Sequence, residues 1–167
     1  ADEGEALLAR TKEIYDGASP SGNSVMANNL LRLSDLTGDT KLSERAADVL
    51  KAFSGLVEDA PANFTQTLIA VDRTLGPSYE ITVAGNPNAA DTKALLKIIR
   101  DVYLPNKVVL LRPEDDAAAK RLAKIAPFST DQKSLDGKAT AYVCKNYQCD
   151  APVTSTEELR AKLAAKK

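Results

Sequence analysis

At Gly76 and Pro77 the hydrophobic period of the chain changes, and that change constrains the fold more than any other feature. Ahead of it, apolar side chains recur at the three- and four-residue spacing of amphipathic helices. From Ser24 the pattern places Met26, Leu30 and Leu33, with Ala27 and Leu31, on one helical face. Asn23 or Ser24 is expected to cap this helix, and Gly38 to end it in a left-handed turn. A second helix from Asp39 or Thr40 carries Leu42, Ala46, Val49, Leu50, Phe53, Leu56 and Val57 over about four turns. A third begins at Pro61, where the missing proline amide costs nothing, and carries Phe64, Leu68, Val71 and Leu75. The stretch "EALLARTKEIYD", residues 5–16, reads equally as a helical turn or as extended chain.

Beyond Pro77, β-rich runs alternate with amphipathic helices. "YEITVAG" (79–85), "KVVLLRP" (107–113) and "ATAYVC" (139–144) read as strands. Segments 91–103, 114–126 and 155–166 read as helices. The first is capped by Asp91 or Thr92, the second has acids in its first turn, and the third opens on a serine and glutamate at capping-box spacing. The four adjacent aliphatics Val108 to Leu111 predict a central strand covered on both faces, since such a run cannot alternate with solvent. Strand–helix alternation predicts parallel pairing. The expected fold is therefore α/β: a layer of helical hairpins (residues 1–77), then a small domain (78–167) with a three-stranded parallel sheet and flanking helices.

Composition narrows the chemistry. The 22 basic and 23 acidic residues of the 167 leave a net charge of -1. Lysines and arginines are interspersed with acids, and only the tail "AAKK" is locally basic, so neither nucleic acid nor a membrane surface is an expected partner. No apolar run approaches the roughly 20 residues of a bilayer span and no signal-peptide core opens the sequence, so a cytoplasmic location is expected. Histidine is absent, which excludes any mechanism drawing an imidazole base from this chain and removes the commonest zinc ligand. With two cysteines only, no metal site and no cofactor are expected.

Four stretches carry polar or reactive groups. "YDGASPSGNSV" (15–25) concentrates glycine, proline, serine and asparagine ahead of a helix. Turn and cap chemistry explains it, with Asp16 and Ser21 near solvent. The sharper reading is a polar pocket rim built from Asp16, Ser19, Ser21 and Asn23, with Asp16 the one side chain able to serve as acid or base. In "CKNYQC", Cys144 and Cys149 read as reduced, buried small hydrophobes; a disulfide or a redox pair is the alternative. "VAGNPNAADT" joins a strand to a helix where phosphates bind in α/β folds, yet it lacks the glycine spacing and the lysine–serine pair of a phosphate loop. Asp115 and Asp116 read as first-turn helix acids rather than a metal pair.

Three blocks, "DGASPSGNSVMANNLLRLSDLTGD", "DTKALLKIIRDVYLPNKVVLL" and "ATAYVCKNYQCDAPVTSTEEL", occur in an order and spacing that resemble the C-terminal portion of the thioredoxin-domain-containing family, which includes spermatogenesis-associated thioredoxin-like proteins. The resemblance runs from about Glu5 to Leu163. It implies a larger protein with a thioredoxin-like domain first, then a helical toroid similar to the six-hairpin epimerases and glycosidases, then an α/β segment. The helices up to Leu75 would be the toroid's last hairpins. The missing domain and toroid would be the chain's partners, with a homodimer through the exposed helical face as a further expectation. The function so implied is a structural or docking end piece, non-catalytic alone. The alternatives are part of a carbohydrate-active toroid whose pocket rim includes the Asp16–Asn23 loop, and a redox accessory acting through Cys144 and Cys149.

Overall fold

A computed structural model describes residues 12–165. Of the ambiguous stretch from Glu5 to Asp16, the part up to Thr11 lies outside the described residues, as do the last two lysines of the basic tail. The helical part comprises α1 (Gly22–Thr37), α2 (Thr40–Ala52), α3 (Ser54–Asp59) and α4 (Thr65–Leu75). Helix α1 packs against both α2 and α4. The contact is made by small side chains, Ala27, Ala46 and Ala70, which are fully buried and let the helices approach closely, with Leu30 and Leu31 filling the space around them. Met26 and Leu33, assigned to the buried face by periodicity, point outward instead. The inner stripe runs through Ser24, Ala27, Asn28, Leu31 and Ser34, so polar residues occupy positions that hydrophobicity alone would not choose.

The helix ends follow local chemistry. Gly38 (φ 77°) ends α1 and donates its amide to Ser34, and the Asp39 carboxylate caps α2. The expected four-turn second helix breaks at Phe53, where Ser54 and Gly55, weak helix formers, follow, and α3 restarts the turn. Pro61 opens a single 3-10 turn rather than the long helix, which begins at Thr65.

Among the described residues the sheet has four strands: β1 (Tyr79–Ala84), β2 (Lys107–Arg112), β3 (Thr140–Lys145) and β4 (Gln148–Cys149), in the order β2-β1-β3-β4. Between them lie α5 (Ala90–Asp101) and α6 (Asp116–Ile125), and α7 (Thr156–Ala164) closes the described fold. The β1–α5–β2 unit is parallel as expected, but β3 runs antiparallel to β1 and β4 antiparallel to β3, so the sheet is mixed rather than three-stranded and parallel. The reversal comes just before β3. Asp136 (φ 50°) and Gly137 (φ 70°) form a two-residue turn closed by the Leu135–Lys138 bridge, the Asp-Gly hairpin signature.

A second correction concerns which strand is central. The aliphatic run Val108 to Leu111 lies in β2, at the sheet edge, and Val109 is 38% exposed. The central strand is β1, buried at all six positions although its sequence alternates. Tyr79, Ile81 and Val83 join Ala141 and Val143 of β3 to pack on Leu95, Ile98 and Ile99 of α5 and Leu159 and Leu163 of α7. The opposite face presents Glu80 and Thr82, each 1% exposed. There α1 and α6 pack on the sheet, and Arg112 reaches the carbonyl of Ser129 (3.1 Å) in the segment following α6.

At the start of α5 the expected side-chain cap is absent: Ala89 occupies that position. Asp91 instead accepts from the amides of Thr92 (2.8 Å) and Ala139 (2.9 Å), tying the helix to the approach of β3. Asp115 and Ser155 cap α6 and α7.

Candidate functional site

The opening loop folds around Asp16. One carboxylate oxygen accepts from the amide of Ser21 (3.0 Å) and the hydroxyl of Ser24; the other accepts from the amide (3.0 Å) and hydroxyl (3.3 Å) of Thr67, in the first turn of α4. The Asp16 amide in turn donates to Asn63 (2.9 Å). One side chain thereby fastens the starts of α1 and α4 together. Burial pushes the Asp16 carboxyl upward, but the hydrogen bonds from Ser24, Ser21 and Thr67 outweigh it and hold the group below its ordinary value. An acid held ionised with both oxygens engaged is poorly suited to donate or accept a catalytic proton.

The other rim residues separate. Ser21, expected near solvent, is 7% exposed, and it rather than Asn23 or Ser24 caps α1, its hydroxyl accepting from the Ser24 amide (3.1 Å). The reason is register: α1 begins at Gly22, two residues earlier than periodicity suggests. Asn23 turns back to the carbonyl of Glu13 (2.6 Å), and Ser19 lies exposed on the outer bend. The structure thus brings Asp16, Ser21 and Ser24 together and leaves Ser19 and Asn23 outside that cluster. Thr67, its fourth member, is 51 residues from Asp16 and carries no local signal.

A groove of about 780 Å³ runs between α1, α4 and the loop from α5 to β2. Val25 and Arg32 of α1, Leu68 and Ile69 of α4, and Tyr103 of the loop line it. Ile69 is 54% and Tyr103 81% exposed. Its floor is held by structural bonds. Asn28 donates to the carbonyl of Gln66 (2.8 Å), and Arg73, buried, forms an ion pair with Asp35 through Nε (2.9 Å) and Nη2. Lys107 donates to the carbonyl of Ile99 (2.8 Å) in the last turn of α5 and to that of Val102 (2.7 Å) just beyond it, and burial lowers its pKa. Arg73 and Lys107 are thus committed to holding elements together, while Arg32 and the apolar side chains of Val25, Leu68, Ile69 and Tyr103 face the opening.

At the far end of the sheet, Cys144 and Cys149 are register partners on β3 and β4 and are joined as a disulfide. The expectation of two reduced thiols is therefore corrected: an antiparallel hairpin with the two-residue turn Asn146–Tyr147 puts the sulfurs opposite each other. Cys144 is buried and Cys149 exposed. The buried Gln132 directs its amide nitrogen at both sulfurs, 3.6 Å from each. Glu80, the β1 partner of Cys144, accepts from the hydroxyl of Ser78 (2.7 Å) and the amide of Tyr147 (2.8 Å). A charged residue amid strand formers was the one signal that could have flagged this corner. In "VAGNPNAADT", Asn86 accepts from the amide of Asn88 (2.9 Å), an ordinary turn. Among the described residues no cluster of three or more potential ligands could hold a metal, and no helix is long and apolar enough to cross a membrane.

No protein-family model and no solved structure matches the chain. It is similar to spermatogenesis-associated protein 20 of Homo sapiens, 38% identical over 160 residues, and of Mus musculus, 37% identical over 163 residues; each match covers 96% of this chain and 20% of the relative. An uncharacterized protein of Caenorhabditis elegans is 27% identical over 157 residues, covering 93% of this chain and 21% of the relative. The chain thus spans about a fifth of the length of its curated relatives, and its homologues named spermatogenesis-associated protein 20 match it along their C-terminal part.

Proposed function

We propose that the chain is a structural docking piece of a larger protein, seated against the rest of that polypeptide through the α1–α4 groove and non-catalytic alone. One observation carries the reading: Val25 of α1, Leu68 and Ile69 of α4 and Tyr103 of the α5–β2 loop form an open apolar strip, while Ala27, Leu31 and Ala70 of the same two helices are buried against each other and α2. An exposed apolar strip rimmed by polar groups is the usual mark of an interaction surface. The length of the relatives supplies the occupant, since about four-fifths of each lies outside the match. On this reading α1, α2 and α4 are the last hairpins of an α/α toroid, the α/β unit closes its end, and a thioredoxin-like domain lies further upstream.

The carbohydrate reading draws no support from the geometry, because Asp16 is engaged by hydrogen bonds within the fold. The test is reconstitution from two polypeptides. The remainder of the parent protein, expressed separately, is expected to co-purify with this chain, and Ile69→Lys is expected to abolish the association while the melting temperature changes little. Association unaffected by Ile69→Lys, or replaced by self-association of this chain, rejects the reading.

A further inference from the structure

We propose that Cys144 and Cys149 form a thiol–disulfide exchange site that takes two electrons from an external dithiol, with Cys149 the sulfur attacked and Cys144 the sulfur that leaves. The inference stands independently of the docking reading. Three observations carry it.

The two sulfurs are unequal. Cys149 is exposed on a two-residue edge strand and opens on a hollow of about 480 Å³ lined by Lys145, Asn146, Gln148 and Asp150. Cys144 is 1% exposed beneath it. An incoming thiolate can therefore reach only the outer sulfur along the S–S axis.

The leaving sulfur has a built partner. Gln132 is 6% exposed, and its amide nitrogen lies 3.6 Å from each sulfur. When the bond breaks, this N–H donates to the thiolate forming on Cys144. Glu80, the register partner of Cys144 on β1, is an acceptor whose charge is met by the Ser78 hydroxyl and the Tyr147 amide and has no hydrogen to offer a thiolate, so stabilisation of that thiolate falls to Gln132.

The third observation is an unpaired atom. Gln132 Oε1 is buried and has no hydrogen-bond partner among the described residues. A buried acceptor left empty is costly and calls for an explanation. In the oxidised pair neither sulfur carries a hydrogen. In the reduced pair the Cys144 thiol carries a hydrogen, and a half-turn of the Gln132 amide, whose nitrogen now faces the sulfur at 3.6 Å, would bring Oε1 to it.

The step balances as follows. One thiolate of the dithiol attacks Cys149 Sγ; its S–S bond to Cys149 forms as the Cys144–Cys149 bond breaks, and Cys144 leaves as a thiolate. The second thiol of the dithiol gives its proton to Cys144 and attacks the mixed disulfide at the dithiol's own sulfur. Cys149 departs as a thiolate and takes from solvent the proton the first thiol had released. The dithiol is oxidised to a disulfide and the protein reduced to two thiols.

The test uses the whole chain with dithiothreitol as the dithiol, and quenched alkylation read by mass. Two alkyl groups are expected to appear while circular dichroism shows the fold retained. Gln132→Leu is expected to slow the reaction about tenfold through loss of a hydrogen bond to a charged sulfur. Gln132→Glu, which keeps the size and faces the thiolate with a carboxylate, is expected to slow it at least as much. Glutathione trapped on the wild-type chain is expected on Cys149. Reduction only at the rate of global unfolding, an adduct on Cys144, or wild-type rates in both variants would overturn the proposal.

Discussion

Tyr147 donates its hydroxyl hydrogen to the carbonyl of Ser34 at 2.9 Å, across 113 residues of sequence. The bond runs from the tip of the β3–β4 hairpin to the last turns of α1, so it couples the helical layer to the sheet. Its donor is held by a strained turn. Tyr147 has φ 62° and Asn146 φ 49°, conformations that side chains other than glycine's adopt at a cost. The hydrogen bond that its backbone N–H donates to the Glu80 carboxylate and the edge-on contact with Phe128 (5.5 Å) offset it.

Tyr147→Phe removes the hydroxyl and keeps the ring. The Ser34 carbonyl still accepts the Gly38 amide, so no buried acceptor is stranded. A loss of about 1 kcal/mol in urea unfolding is expected. Burial, with the negative charges of Glu80 and Asp35 adding to it, pushes the phenol up to about 12. Because the folded value exceeds the unfolded one of about 10, the stability it contributes is complete below that pH. It is lost as pH rises through the folded value. The difference in stability between wild type and Tyr147→Phe should shrink over that interval and hold steady below it.

Asp16→Asn keeps one acceptor but sets an amide nitrogen against N–H donors of Ser21 or Thr67. A loss of about 2 kcal/mol is expected, as for a hydrogen-bonded charge partly removed from water. The folded carboxyl lies below its ordinary 3.8, so its stabilisation is present above that value and lost as pH falls through the folded one. Unfolding curves between neutrality and strong acid should show wild type losing this increment and the variant lacking it.

Ser21→Ala and Asn23→Ala separate the cap from its neighbour. Loss of the Ser21 oxygen should cost about 1 kcal/mol, the usual worth of an N-cap. Asn23→Ala should cost less, because its bond to Glu13 is exposed. Equal losses in thermal or chemical unfolding would place the cap elsewhere.

Gly85 ends β1 where the chain has no room for a side chain. A Cβ there would stand 2.5 Å from Thr92 Oγ1 and 3.1 Å from Ala139 Cβ. Gly85→Ala should cost about 1–3 kcal/mol by overpacking. Thr92→Ala removes one of the two clashing atoms, so the double variant should be less destabilised than the two single losses added.

Much of the local structure was legible. Gly38, Asp39 and Ser155 mark helix ends because caps are satisfied within a few residues, whereas Asp115, expected inside the first turn, is the cap of α6. The sheet was harder. Val108 to Leu111 resembles a central strand, yet position within a sheet depends on which strands find it, and the Asp136–Gly137 turn sends β3 to the far side of β1. Glu80 could not be placed by pattern, because its burial depends on an amide 67 residues away. For the loop, the abundance of short acceptors pointed to capping, and capping is what Ser21 does. The role of Asp16 as a clamp between α1 and α4 rests on Thr67, which no local rule connects to it.

The docking claim is tested most directly by the reactivity of one surface position. Ile69→Cys places a thiol in the exposed strip of α4, and maleimide labelling can be timed in this chain alone and within the whole parent protein. Fast labelling in isolation and at least tenfold slower labelling in the parent is the predicted result, because the strip is covered there. Equal rates in the two would mean that the α1–α4 face stays open to water, and would contradict the account.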